Sequence, residues 1–196
     1  MLRYAILALA CLTASCAAVK GGDEPVTMRL SPAFPADAQK QAGSIAVAPV
    51  QARGVTGAQR YAYVESGAPG EIRQAKSFFW EEPPPRILER ALVAGLRGRY
   101  ASVTGPELSL GADRRVVAVL NRFEEMSGAE AKAIVVFDAS LIADGKLARS
   151  GHYCGSAPIG GASGSARAQA FEQAMKAAVT AFVQDSADAG AAPSTC

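Results

Sequence analysis

The sequence has little histidine, almost no excess of charge of either sign and no long hydrophobic run. Its 196 residues contain 20 Lys and Arg against 18 Asp and Glu, and this near balance argues against the basic surface of a nucleic-acid-binding protein. No apolar run reaches the roughly 18–20 residues of a membrane-spanning helix. Hydrophobic residues make up 49% of the chain, too many for a disordered protein. The length fits one ordinary globular domain.

The scarcity of histidine limits the chemistry that the chain can perform. His152 is the only histidine, so a histidine-dependent triad or metal site would have to use it alone. His152 and Cys154 would share one face of a strand, as a base and its thiol could. We favour the simpler interpretation, a strand histidine beside a disulfide cysteine. A zinc site needs three or four ligands at close spacing, which one histidine and two distant cysteines do not supply.

Two further motifs lack the pattern of a catalytic or phosphate-binding site. The glycine-rich stretch 160–164 precedes a predicted helix, but it has neither the Lys-Ser/Thr of a P-loop nor the spacing of a dinucleotide-binding loop. Glu124 and Glu125 are consecutive, so they would point to opposite faces of a strand and make a poor acid/base pair. We therefore predict that the protein is not an enzyme and has no catalytic residue, no metal and no cofactor.

The first fifteen residues have the three parts of a secretory signal peptide. Arg3 supplies the positive charge, residues 4–12 form an apolar stretch, and small residues at 13–15 lead to Cys16. A buried N-terminal helix is the alternative interpretation. The arrangement favours export, and it places the mature chain outside the cytoplasm.

The segment LTASC at 12–16 resembles the bacterial lipobox, in which a peptidase cuts before a diacylated cysteine. The resemblance implies that Cys16 is the lipid attachment site of a palmitate-bearing lipoprotein in the periplasm. Several acyl chains, each contributing about 0.8 kcal/mol per buried methylene, anchor a protein durably. Ala17, rather than Asp, follows the cysteine. In the sorting pattern of enterobacteria this resembles an outer-membrane destination.

Cys154 and Cys196 are the two other cysteines of the mature chain. In an oxidising compartment an even pair suggests a disulfide, which here would close a 43-residue loop and fix the C-terminal end. Chain entropy gives that loop closure a stabilisation on the order of 4 kcal/mol. Two free thiols are the alternative. We expect the disulfide.

The composition of the mature chain predicts a single folded unit between two looser ends. Residues 16–43 would carry the lipid and a tether, within which 26–30 could add a short edge strand. Residues 44–185 would form the domain. Residues 186–196, built of small and polar residues, would form a flexible tail.

Hydrophobic periodicity predicts an α+β fold. Two amphipathic helices are expected, at about 84–98 after three prolines and at about 165–184. A tight turn is expected at Asp144–Gly145. Alternating or short apolar patterns predict strands at 44–50, 60–65, 76–80, 114–123, 133–142 and 146–154. The predicted architecture is an antiparallel meander with both helices packed on one face.

The aromatic cluster at 78–80 has two interpretations. Alternation would place Phe78 and Trp80 on one face of a strand and Phe79 on the other, so at least one ring should fill the core. The alternative is a binding patch, since Phe and Trp are common at interface hot spots. Core packing is favoured, and Phe79 and Trp80 are the candidates for partner binding.

The order of these features resembles the ABC-type transport auxiliary lipoproteins, the PqiC-like group. The lipobox, VTMRL, SIAVAPV, RYAYVE and above all FFWEEPPPRILERAL carry the resemblance, which covers about residues 26–185. It implies a non-catalytic partner of an Mce-type system that moves lipids between membranes. The Mce-domain protein, permease and ATPase would be other polypeptides. This chain would dock or receive at the outer membrane, and it could assemble as a ring of identical copies.

A lipoprotein that scaffolds or activates a cell-wall or outer-membrane assembly machine is the alternative function. It would account equally for the lipid anchor and for the lack of catalytic residues. The proteins that accompany the chain in its native envelope would distinguish the two hypotheses.

Overall fold

In a computed structural model, residues 24–36, 40–108 and 111–187 are described, and they form one mixed sheet with two helices on one face. The helices are α1 (Pro84–Arg99) and α2 (Gly164–Ala187), with short 3-10 helices at Gly54–Gly57 and Pro106–Leu108. The strands are β1 (Val26–Met28), β2 (Gln41–Val47), β3 (Gln51–Ala52), β4 (Arg60–Glu65), β5 (Ile72–Trp80), β6 (Tyr100–Thr104), β7 (Arg114–Ser127), β8 (Lys132–Ala143) and β9 (Lys146–Pro158).

The long strand β7 organises the sheet. Along one side it pairs antiparallel with β8 over nearly its whole length, and β8 pairs in the same way with β9. Along its other side it pairs in succession with β2, β3 and β4, all of them parallel to it. The sheet therefore branches from one strand. Beyond the branch, β6 pairs with β2, β5 with β4, and β1 with β5.

The α+β class and the two helices on one face are confirmed, but only part of the sheet is an antiparallel meander. The meander is confined to β7, β8 and β9, and the sheet as a whole is mixed. Alternation of apolar residues reports which face a strand buries and says nothing about the direction of its neighbour. The parallel pairings arise because the chain crosses over the sheet before it returns, as it does through α1 between β5 and β6.

Helix α1 begins where its prolines allow it. Pro84 occupies the first turn, where a missing N–H costs nothing, and Arg97 and Arg99 lie in the last turn beside the negative end of the helix dipole. The predicted stripe of Leu88, Leu92 and Leu96 is fully buried. The prediction of this helix is confirmed to within one residue.

Helix α2 packs over β8 and β9. Its predicted apolar stripe is completely buried and comprises Phe171, Ala174, Met175, Ala178, Val179 and Phe182. A Cβ atom at Gly155 of β9 would lie only 2.0 Å from the carbonyl oxygen of Ala174, so a glycine is required where strand and helix approach most closely. This contact fixes α2 directly on the edge of the meander.

The β8–β9 hairpin turns at Asp144–Gly145, as predicted. Both residues have positive φ, 50° and 72°. A type I′ turn needs positive φ at its two central residues, which is why Asp-Gly suits this position. The turn pairs Ala143 with Lys146 and Ile142 with Leu147, and a shift of one residue beyond these pairs gives the register in which Asp138 pairs with His152 and Val136 with Cys154.

The segment that follows β1 lies across the helices rather than away from the domain. Leu30 is buried, and Phe34 packs against the core beside Gly95 of α1. A Cβ atom at Gly98 would lie 2.4 Å from the carbonyl oxygen of Pro35, so glycine permits this crossing. The described part of residues 16–43 is thus built into the fold, and it includes the predicted edge strand.

Candidate functional site

The predicted anchor, Cys16, lies outside the described residues, but the structure shows where the chain behind it enters the domain. Val26 begins β1, ten residues after Cys16. An extended chain spans at most about 3.4 Å per residue, so β1 would lie within about 34 Å of a lipid on Cys16. β1, at the edge of the sheet beside β5, is therefore the described strand nearest in sequence to the predicted anchor.

Phe79 lies on the outer face of the sheet at this same edge. It pairs with Thr27 of β1 on one side and with Arg60 of β4 on the other. The guanidinium carbon of Arg60 lies 5.4 Å from the centre of the Phe79 ring, a cation–π contact. Next to it, Arg29 donates two hydrogen bonds of 2.6 Å to the carboxylate of Glu81. We call Arg60 and Phe79 the outer corner.

Trp80 points the other way, into the core. It exposes 2% of its surface and packs against the rings of Phe171, Phe123 and Tyr61 at centroid distances of 5.0, 5.1 and 5.4 Å. Phe78 also packs against this core, so the expected alternation across residues 78–80 is confirmed. Because the fold buries Trp80, only Phe79 of the two candidate binding residues is placed to meet a partner.

A buried polar network lies beside the aromatic core. The hydroxyl of Tyr61 donates a 2.5 Å hydrogen bond to Glu125, and the Nε of Arg167 donates one of 3.0 Å to the same carboxylate. Arg167 also covers the ring of Phe78 at 4.8 Å. Burial, followed by the neighbouring Glu125 carboxylate, raises the pKa of Tyr61. The network supplies hydrogen-bond donors to a carboxylate inside the fold, which is a structural role.

Glu124 faces the opposite side of β7, as its position beside Glu125 predicts. It accepts hydrogen bonds from Arg122 at 2.7 to 2.8 Å. The two glutamates are therefore separated by the sheet and each has its own arginine. They do not form an acid/base pair.

The single histidine also lies on the outer face. Its Nδ1 lies 2.7 Å from an oxygen of Asp138, whose other oxygen accepts a hydrogen bond of 2.8 Å from Asn121. Burial opposes ionisation of Asp138, but the hydrogen bonds from His152 and Asn121 outweigh it and lower its pKa. Within the described ranges, no group of three His, Cys, Asp or Glu side chains is placed to hold a metal ion.

Cys154 lies two residues beyond His152 on the same outer face and is buried against Ile134 and Val136. Cys196, its expected disulfide partner, lies outside the described residues, and the bond between them stays a prediction. The glycine-rich stretch 160–164 leads into α2. There the hydroxyl oxygen of Ser163 accepts a hydrogen bond from the N–H of Ala166, which is a helix-capping contact.

Sequence reasoning missed three arginines that make the contacts described above: Arg29, Arg60 and Arg167. Their partners lie 52, 19 and 42 residues away in the chain, and no local pattern connects them. An arginine near an aromatic residue is too common in sequences to identify such a contact. In the parts of the chain that the structure describes, neither helix is long and apolar enough to span a bilayer.

Comparisons with other proteins agree with this architecture. A crystal structure of a protein from Xanthomonas campestris is similar to the chain with a TM-score of 0.71 and 22% identity, over 83% of this chain and 99% of that one. A second crystal structure, of an uncharacterized protein, is similar with a TM-score of 0.65 and 12% identity over the same shares. At these identities the likeness shows the fold. No relative was found among curated proteins.

The family is given by the sequence itself. The model of a family described as the ABC-type transport auxiliary lipoprotein component matches residues 29–183. The match begins in the segment that crosses the helices and ends near the end of α2, so it includes both helices and nearly all of the sheet. The chain therefore belongs to the family of ABC-type transport auxiliary lipoprotein components.

Proposed function

We propose that the protein is a non-catalytic, lipid-anchored component of an Mce-type lipid transport system that docks at the outer membrane. Membership of the transport auxiliary family over residues 29–183 is the observation that carries this proposal. The partners would be an Mce-domain protein with its ABC permease and ATPase. Cys16 would hold the acyl chains, and the periplasmic domain would meet the transporter.

The position of β1 supports a docking role close to the membrane. The described chain starts at Glu24, and the Arg29–Glu81 pair fixes it to the loop after β5 immediately beyond β1. A domain held within about 34 Å of its lipid can reach only partners that approach the same membrane. A protein that receives transported lipid at one membrane needs to stay close to that membrane in this way.

The outer corner is the part of the domain best suited to contact the transporter. Phe79 is half-buried and faces away from the core, and Arg60 covers its ring. Phe and Arg are both enriched in protein–protein interfaces relative to the rest of the protein surface. The contact would therefore combine a planar apolar ring with a positive charge, on the edge of the domain nearest to the anchor.

The test is recovery of partners with the full-length lipoprotein from its native envelope. Affinity-tagged protein is extracted in mild detergent, and the proteins bound to it are identified by mass spectrometry. We expect an Mce-domain protein together with its permease and ATPase. A Cys16→Ser variant should lose these partners, because it leaves the protein without its anchor.

A pair of matched variants then tests the outer corner. Phe79→Ser should reduce recovery of the Mce-domain protein several-fold, whereas Leu147→Ser, at an exposed apolar residue near the β8–β9 turn, should leave it unchanged. Recovery of peptidoglycan synthases or assembly factors without an ABC component would overturn the transport function. Equal recovery of the Mce-domain protein with both variants would show that the outer corner does not contact the transporter.

A further inference from the structure

The outer face of the meander carries three cross-strand rows of side chains. Asp138 pairs with His152, Val136 with Cys154, and Ile134 with Ser156. Arg122 and Glu124 of β7 continue the second and third rows. Ile134, Val136 and Cys154, against which Met126 packs, form an apolar cluster that we call the outer cluster.

The outer cluster is more deeply buried than a solvent-facing side of a sheet should be. Its three members expose 4, 5 and 6% of their surface, although both helices lie on the opposite face of the sheet. Antiparallel sheets covered on one side usually alternate apolar residues inward with polar residues outward. A row of apolar side chains on the outer side indicates that another segment packs over it.

The chain leaves the domain close to this cluster. Near the end of α2, Asp185 accepts a 2.5 Å hydrogen bond from the hydroxyl of Tyr153 and lies 3.6 Å from a guanidinium nitrogen of Arg149. Tyr153 is the residue before Cys154, so their side chains point to opposite faces of β9. The end of α2 is therefore separated from Cys154 by the length of the Tyr153 side chain and the thickness of the strand.

The position of β9 at the edge of the sheet allows the C-terminal segment to pass from the inner to the outer face of the sheet. Within the described ranges β9 pairs with β8 alone, which makes it an edge of the sheet. Nine residues lead from Ala187 to Cys196, and when extended they can span about 30 Å. Packed sheets are roughly 10 Å apart, so a side chain on one face reaches only about 5 Å from the mid-plane of its sheet. A chain of this length can turn around β9 and bring Cys196 to Cys154.

We propose that residues 188–196 turn around the edge of β9 and lie over the outer cluster, where a disulfide between Cys154 and Cys196 fixes them. The segment consists of small residues, three of them alanine, and it ends in the cysteine. Small side chains let it lie flat against Ile134 and Val136. They also bury too little apolar surface to hold it there alone, so the covalent bond is what keeps it in place.

The bond requires an oxidant that belongs to the compartment. The two thiols give up two protons and two electrons to the disulfide of a thiol–disulfide oxidoreductase, which becomes a dithiol. One cysteine first forms a mixed disulfide with the oxidoreductase, and the thiolate of the other displaces it. This inference does not depend on the transport function.

The bond is tested on the full-length mature lipoprotein. Thiols are blocked with iodoacetamide before lysis, and the protein is digested with trypsin without reduction. Cleavage after Arg149, Arg167 and Lys176 gives peptides 150–167 and 177–196, and we expect mass spectrometry to find them joined. Recovery of both peptides alkylated, or of 177–196 joined to a second copy of itself, would overturn the proposal.

The cover is tested by the oxidation of methionine side chains. Met126 packs against the outer cluster, whereas Met28 and Met175 are buried in the core beneath the helices and serve as internal controls. In dilute hydrogen peroxide, Met126 should be oxidised several-fold faster in the Cys196→Ser variant than in the unaltered chain, whereas the oxidation rates of Met28 and Met175 should not change. Equal rates at Met126 in the two proteins would show that residues 188–196 do not cover this face.

Discussion

The two faces of the β7–β9 meander are stabilised in different ways. The inner face packs aromatic rings against the helices and holds a carboxylate, Glu125, that is almost fully buried with Arg167. The outer face carries charged pairs that are partly in water, such as Asp138 with His152. Burial makes the loss of one inner partner costly, whereas water replaces much of what an exposed pair loses. Breaking a buried pair of the inner face should therefore cost more stability than breaking an exposed pair of the outer face.

The largest expected effect comes from emptying the inner aromatic core. Phe171 is fully buried, and its ring lies 4.7 Å from that of Phe123 and 5.0 Å from that of Trp80. Phe171→Ala should lower the free energy of unfolding by about 3–5 kcal/mol through lost packing and the cavity left behind. Urea denaturation measures the loss. The outer-face control Val117→Ala should stay within about 0.5 kcal/mol of the unaltered protein.

Removing the inner arginine should cost somewhat less. Among the described residues, Arg167→Leu leaves the buried Glu125 with Tyr61 as its hydrogen-bond donor, and the unfolding free energy should fall by about 3 kcal/mol. Adding Glu125→Gln should restore part of it, because the uncompensated charge is gone. The outer comparison is His152→Leu beside Asp138, which breaks a pair whose side chains are 58% and 48% exposed and should cost no more than about 1 kcal/mol. Equal losses on the two faces would contradict the contrast between them.

The smallest effect is expected at the outer carboxylate. Because the pKa of Asp138 is lowered in the folded protein, its ionised form adds stability above the ordinary aspartate pKa of about 3.9, and this is lost as the pH falls through the lowered pKa. The side chain is 48% exposed, so Asp138→Asn should cost no more than about 0.5 kcal/mol at neutral pH.

Urea denaturation of both proteins in steps from about pH 6 downward checks the pH dependence expected of Asp138. The difference between them should shrink as the pH falls, and added salt should reduce it at neutral pH. A constant difference at all pH values would mean that the substitution acts through packing rather than charge.

The parts of the fold that sequence predicts are those fixed by local chemistry. Prolines at 83–85 and leucines at helical spacing located α1, and Asp144–Gly145 located the β8–β9 turn. Neither the short strand β3 nor the edge strand β6 has a local pattern strong enough to be found. The parallel pairing of β2, β3 and β4 with β7 depends on how the chain returns to the sheet, which no short window contains.

The candidate site divides in the same way. Alternation along β5 correctly separated Phe79 from Phe78 and Trp80, because the period of a strand is a local property. The arginine that completes the outer corner comes from another strand, and its contact with Phe79 follows from the pairing of β4 with β5. The sequence therefore identified Phe79 as the outward-facing ring, but it did not show that the guanidinium of Arg60 covers that ring.

The crossing of Pro35 over Gly98 determines how tension would enter the domain. A pull on the chain from its N-terminal side meets first the three paired residues of β1 and then the segment seated on α1, with Leu30 buried and Phe34 beside Gly95. These contacts must break before the chain beyond them can be drawn out of the fold. β1 and the segment seated on α1 would therefore be the first parts of the domain to detach under a pull from the N-terminal side, before β7, β8 and β9 lose their pairing.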